Sequence, residues 1–137
     1  MNNKAIDRLH NQMIHLRKAI EKAKTEGRND IPKVTQWPRN CCAAAYPLLY
    51  LQELGYENIV KHVADTSNLD ENRPDHLWLE IDGVIIDLTA DQFDKSLPGV
   101  IVASKSDWHA SLTEKPASAG WATHGYLDGY AKLKAYL

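Results

Sequence analysis

Apolar residues recur at alternating three- and four-residue steps between Asn3 and about Glu26, as Ile6, Leu9, Met13, Leu16 and Ile20. This spacing predicts one amphipathic helix with a single buried face, stopped by Gly27. About two heptads fall short of a sustained coiled-coil seam, so the helix is expected to pack on the rest of its own domain. It is assigned no chemistry. His10 and His15 are five positions apart and project to different sides, unlike a two-histidine metal pair at three- or four-residue spacing.

The segment from Asn29 to Arg39 carries Pro32 and Pro38 and reads as an irregular approach to a second helix, from about Cys41 to Leu54. Asn40 is the candidate N-cap and Gly55 the stop, while Pro47 lacks the N–H that would bond back to Ala43 and predicts a local kink. Ile59 to Ala64 reads as a strand, and Asp65 to Asp75 as a polar loop. The stretch Leu77-Trp78-Leu79-Glu80-Ile81-Asp82-Gly83-Val84-Ile85-Ile86-Asp87-Leu88 is two short strands about an Asp-Gly pair, which favours a tight type I′ turn. With Asp82-Gly83 as the two-residue loop, Ile81 faces Val84, Glu80 faces Ile85 and Trp78 faces Asp87. Leu77, Leu79, Ile81, Val84, Ile86 and Leu88 then share the core side. Val100 to Ala103 predicts a further strand after a Pro98-Gly99 turn, and Leu127 to Leu137 a C-terminal helical segment that docks back. Helices beside a sheet of about four antiparallel strands make an α+β domain.

The chain has 137 residues, 44% of them hydrophobic, enough to build one domain around one core. Its formal charge of -2, with lysines and arginines spread along the sequence, gives no basic surplus for nucleic acid. No run approaches the roughly 20 apolar residues of a membrane helix, and Met1-Asn2-Asn3-Lys4 lacks the apolar stretch of a secretory signal. A cytoplasmic location without membrane or nucleic-acid partners is therefore expected, with signal-less export left open. The two cysteines are neighbours and cannot staple distant segments, so they read as free thiols.

Helical geometry separates those thiols. Cys41 shares an apolar stripe with Ala44, Ala45, Leu48 and Leu51 and reads as core, whereas Cys42 lies at the margin of that face in the first turn. Unpaired backbone N–H groups and the positive end of the helix dipole favour a thiolate there. On the hairpin, His76 and Asp87 are diagonal neighbours within reach of a hydrogen bond. A cysteine, a histidine and an aspartate in this order supply a nucleophile, its base and the group that orients the base. Taken singly, Cys42 reads as a small buried residue, and His76 and Asp87 as polar residues on a half-buried sheet. Together they read as a site. Trp78, opposite Asp87, would shield it from water, and His109 is the reserve choice for the base. Trp121 to His124 and Trp108 read as packing anchors.

Cys42 opening a helix, His76-Leu77-Trp78 on one strand and Asp87-Leu88-Thr89 on the next resemble the transglutaminase-like branch of the papain-fold superfamily, especially its small bacterial members. The resemblance covers about Gln36 to Phe93. It implies a papain/transglutaminase-like core over about residues 36–104, following the helix over 3–26 and preceding the segment over 127–137. It also implies Cys42 as nucleophile, His76 as general base and acid, and Asp87 as orienter. Gln36, six residues before Cys42, stands where papain-like peptidases place a glutamine that helps bind the oxyanion. Ala43 after the cysteine and Leu77 after the histidine depart from the pattern. The activity so implied is cysteine-dependent amide hydrolysis or acyl transfer through a thioester, of peptidase, deamidase or transglutaminase type. No cofactor or metal is called for, and the partner would be a protein or peptide with an accessible amide. Trp37, Trp78 and the Asp65 to Asp75 loop are expected to contact substrate.

Two other classes compete. A zinc protein would use Cys41, Cys42 and histidines, but adjacent cysteines lack the two-residue gap of a zinc knuckle. A non-catalytic binding or immunity-type module would keep the fold without turnover.

Overall fold

The computed structural model describes residues 1–39, 42–116 and 123–137, with the side chains of residues 42 and 43 set aside. Helix α1 spans Asn3–Thr25, capped by the Asn2 side chain, which accepts from the Ala5 N–H at 2.8 Å. Gly27, at φ +69°, supplies the left-handed stop. The predicted stripe is the buried one: Leu9, Met13, Leu16 and Ile20 are sealed, joined by Ala19 and Ala23. Helix α2, Cys42–Glu53, continues through Pro47. Every residue from Ala44 to Leu51 is buried, so α2 has no solvent face over that span. Such a helix must be enclosed on all sides, and α2 touches α1, the sheet and α4 (Leu127–Leu133). The expected N-cap Asn40 and core residue Cys41 lie outside the described residues, as does Trp121.

Five antiparallel strands form one sheet: β1 Val60–Asp65, β2 Asp75–Ile81, β3 Val84–Asp87, β4 Ile101–Ala103 and β5 Thr113–Lys115, in the spatial order β4-β3-β2-β1-β5. The β2–β3 hairpin has the predicted register, with Ile81 opposite Val84, Glu80 opposite Ile85 and Leu79 opposite Ile86. Asp82 and Gly83 at the tip have φ of +51° and +75°, as a type I′ turn requires. One sheet face presents Leu79, Ile81, Val84, Ile86 and Val102 to a common apolar cluster with Leu9, Met13 and Leu16 of α1 and Leu48 and Leu51 of α2. The opposite face carries His62, Trp78, His76 and Asp87. The short helix α3, Asp107–Ala110, brings His109 onto that face. Neither α3 nor β5 is foreshadowed in the sequence pattern, because four and three residues are too short for a period to declare itself.

One side chain ties α1 to the segment that follows β3. The Arg17 guanidinium donates to the Leu88 carbonyl at 2.8 Å, to Asp91 Oδ1 and Oδ2 at 3.1 and 3.0 Å, and to the Gly99 carbonyl. A Cβ at Gly99 would lie 2.8 Å from the same guanidinium, so this position leaves little room for a side chain. The segment from Leu88 to Gly99 is thereby anchored at both ends and in the middle.

A second close approach occurs in α4, where an added Cβ on Gly129 would stand 2.5 Å from Pro32 Cδ and 2.7 Å from the Tyr46 hydroxyl. Tyr46 already spends that hydroxyl on the Pro32 carbonyl, at 2.7 Å. Gly129→Ala should therefore destabilise the protein by about 1–3 kcal/mol through overpacking. Helix propensity alone would make the same change favourable by about 1 kcal/mol. The sign of the change in urea-unfolding free energy checks the packing.

Candidate active site

Asp87 is the last residue of β3 and His76 the second of β2. The type I′ hairpin sets their diagonal, and their side chains meet with Nε2 to Oδ2 at 2.6 Å. The same carboxylate oxygen takes a second imidazole, His109 Nε2, at 2.7 Å. Its other oxygen accepts the Thr89 backbone N–H at 2.9 Å, so the Asp87-Leu88-Thr89 motif closes a turn on its own carboxylate. All three ionisable groups are buried, at 2%, 2% and 4% exposure for His76, Asp87 and His109.

Burial alone would raise the Asp87 pKa. The charge of His76 and the hydrogen bonds from both imidazoles outweigh it and hold the carboxyl well below the usual carboxylate range. Asp87 is therefore an anion that receives rather than shares protons, which is what an orienting acid must be.

The two histidines are not equivalent. Ser106, the N-cap of α3, places its hydroxyl 2.6 Å from His109 Nδ1, and the His109 backbone N–H returns to that hydroxyl at 3.3 Å. With Nε2–H directed at Asp87, Nδ1 of His109 accepts the Ser106 O–H, and both ring nitrogens are engaged. On His76, the bond to Asp87 occupies Nε2 and leaves Nδ1 as the second ring nitrogen. His109, the reserve choice for the base, thus shares the Asp87 carboxylate with His76, the first choice.

Aromatic rings wall the group. Trp78 stacks on His76 at 5.8 Å between centroids, and Phe93 and Trp108 meet the same imidazole edge-on at 5.1 and 5.6 Å. His62, directly across the ladder from Trp78, also stacks on it at 5.2 Å and is held by Glu114. This packing removes water from the Asp87 carboxylate, which strengthens each of its hydrogen bonds.

His76, Asp87 and His109 also present three ligand-type atoms within 4.8 Å of one another, the arrangement a divalent cation would use. Two ligands at about 2.1 Å from a tetrahedral zinc lie roughly 3.4 Å apart. The observed separations of 2.6 and 2.7 Å are those of charge-assisted hydrogen bonds. The three side chains fit each other better than they fit a metal between them.

The remaining expected residues divide. Cys42 opens α2, whose Ala44 and Pro47 pack against Leu77, Leu79, Ile86 and Leu88 with no room for water between. The Cys42 side chain lies outside the described residues. Trp78 sits against the site, although at 3% exposure it serves as a wall and offers little surface to a ligand. Trp37, expected at the rim of a cleft, is 3% exposed and joins the apolar core, while its remaining surface lines the cleft beside Gln36. Its place follows from Pro32 and Pro38 folding the approach to α2 back over α1, where the Lys24 ammonium takes the Trp37 carbonyl. Gln36 is exposed, in the 3₁₀ turn Val34–Gln36, and borders a cleft of about 480 Å³. The loop residues Asn68 and Leu69 border another, of about 310 Å³, whose wall includes Trp108. The cleft beside Gln36 was not legible in the sequence, since its charged lining comes from positions 24, 39, 73 and 95.

Comparison with family models, curated proteins and solved structures gave no match. The fold and site define an α+β protein with a five-stranded antiparallel sheet and a buried aspartate shared by two histidines.

Removing the carboxylate leaves two buried imidazole N–H groups without an acceptor. Asp87→Ala should cost about 2–5 kcal/mol in urea unfolding. Because the folded pKa of Asp87 is depressed, its contribution to stability is complete above the unfolded value of about 4 and is lost as pH falls from there toward the folded value. Unfolding free energies measured between pH 7 and pH 2 should fall below about pH 4, with a shallower slope in Asp87→Asn.

Proposed function

We propose that the chain is a cysteine-dependent amide hydrolase or acyltransferase of the transglutaminase-like, papain-fold type, with Cys42 as nucleophile, His76 as base and acid, and Asp87 as orienter. The observation that carries this reading is the 2.6 Å bond between His76 Nε2 and an ionised, water-excluded Asp87. Burying an anion among aromatic rings is costly, and here it fixes one imidazole tautomer with Nδ1 as the reactive atom.

In the reaction, His76 Nδ1 takes the proton of the Cys42 thiol and the sulfur attacks a carboxamide carbonyl. The carbon–sulfur bond forms as the carbonyl π electrons move to oxygen. Backbone N–H groups at the opening of α2, with the Gln36 amide, would receive that oxyanion. His76 then returns the proton to the departing amine as the carbon–nitrogen bond breaks, leaving a thioester. Water releases a carboxylic acid, or a second amine forms a new amide. His109 acts through Asp87: it shares the carboxylate, holds it in place and is a positioning residue. The substrate is a protein or peptide amide, and the reaction needs no metal or cofactor.

A thiol assay separates this enzyme from a binding module of the same fold. At pH 7, Cys42 should react with iodoacetamide at least ten times faster than Cys41, as read by peptide mass spectrometry. His76→Ala should bring Cys42 down to the Cys41 rate. His109→Gln should retain the excess while moving the pH of half-maximal labelling. Equal, slow labelling of both thiols in the wild-type chain would replace the enzyme with the binding module.

A further inference from the structure

The cleft beside Gln36 is lined by four cationic side chains, Lys24, Arg39, Arg73 and Lys95, and by no acidic one. The chain as a whole has more carboxylates than cations, 18 Asp and Glu against 16 Lys and Arg. Four cations around one cavity of about 480 Å³ are therefore a local concentration set against the overall charge. Asp91 is held by Arg17 at 3.0 Å, whereas Asp70 lies 3.4 Å from Arg73 Nε and offsets one of the four cations. Asp94 spends its carboxylate on Ser96, at 2.6 Å to the hydroxyl. Among the described residues, neither Arg39 nor Lys95 forms an ion pair.

The cleft is also placed beside the candidate chemistry. Arg39 precedes Cys42 by three residues, and Arg73 precedes His76 by three. Gln92, which lines the cleft, accepts from Arg73 Nη1 at 3.0 Å, and the next residue, Phe93, packs on the His76 ring. Trp37 and Pro38 supply an apolar floor. A pocket with a convergent positive field and a hydrophobic base suits a ligand with an aliphatic stem and a terminal carboxylate. Arginine adds a fork that matches that group in two points.

We propose that this cleft binds an acidic side chain of the substrate, so that the amide processed belongs to a peptide with a glutamate or aspartate near the reacting residue. This specificity rests on the reading of Cys42, His76 and Asp87 as an amide-processing site, but the binding itself does not require turnover.

The test is calorimetric titration of the full chain carrying Cys42→Ala with two short blocked peptides, identical except that one has glutamate where the other has glutamine. The glutamate peptide should bind at least ten times more tightly, and the advantage should shrink as salt rises from 20 to 300 mM, both as order-of-magnitude expectations for a screened charge contact. In Arg39→Glu/Lys95→Glu, changed at two residues where the thermal unfolding midpoint should stay the same, the advantage should vanish. Equal affinity for the two peptides in the parent chain, or a preference untouched by the double reversal, would overturn the proposal. Inorganic phosphate is the competing arm: if it binds and displaces nothing from the glutamate peptide's site, carboxylate recognition stands, and if phosphate binds while neither peptide does, acidic-peptide specificity is lost. Thiol labelling in the unsubstituted chain is scored separately. Fast Cys42 with no charge preference removes only this specificity, whereas a charge preference beside an inert Cys42 removes the enzyme and leaves an acidic-peptide binder.

Discussion

A single carboxylate organises this protein's polar half. Asp87 is sealed in the sheet face opposite the main apolar core, where two imidazoles hold its carboxyl below the usual range against the effect of burial and the Thr89 backbone N–H donates to its other oxygen. Each of these donors comes from a different piece of chain: β2, α3 and the turn after β3. The interaction therefore does structural work as well as fixing a tautomer. It draws α3 onto a sheet face that would otherwise expose Trp78, and it gives His76 one orientation. Buried ion pairs seldom add much net stability compared with an apolar replacement. Their retention in a small domain is better accounted for by the geometry they specify.

Much of the frame was legible because the sequence states it locally. The α1 stripe is a 3.6-residue period sustained over about four turns, and the hairpin is announced by Asp82-Gly83 between alternating apolar positions. From that hairpin alone the His76–Asp87 diagonal follows. The second histidine was harder: His109 was visible as a candidate base, but its bond to Asp87 depends on α3, one turn long, set by the Ser106 cap. Trp37 was legible as a cleft residue but its depth was not, because proline-rich approach segments ordinarily run over the surface, and this one buries its tryptophan in the apolar core. Three edge residues, Thr113–Lys115, pair with β1 while all three are exposed, so no alternation marks them as a strand.

The asymmetry between the two sheet faces gives the fold its division of labour. One face joins α1 and α2 in a continuous apolar cluster and supplies most of the burial. The other concentrates histidine, tryptophan and carboxylate and is covered by short elements that cannot stabilise themselves. A helix of four residues has no cooperative stability of its own, so α3 holds its place through His109 and Trp108. Catalytic and binding groups commonly sit on such lightly built segments, while a rigid scaffold sets their positions.

The Arg17 clip makes the first helix something other than an interchangeable prop. A foreign amphipathic helix with the same apolar stripe would fill the cavity beneath α1, yet it would leave the Leu88 and Gly99 carbonyls and the Asp91 carboxylate without their shared donor. Modular exchange of that helix between proteins of this architecture is thus constrained by hydrogen-bond inventory and not by shape. A chain without Arg17 needs another donor to hold the segment from Leu88 to Gly99.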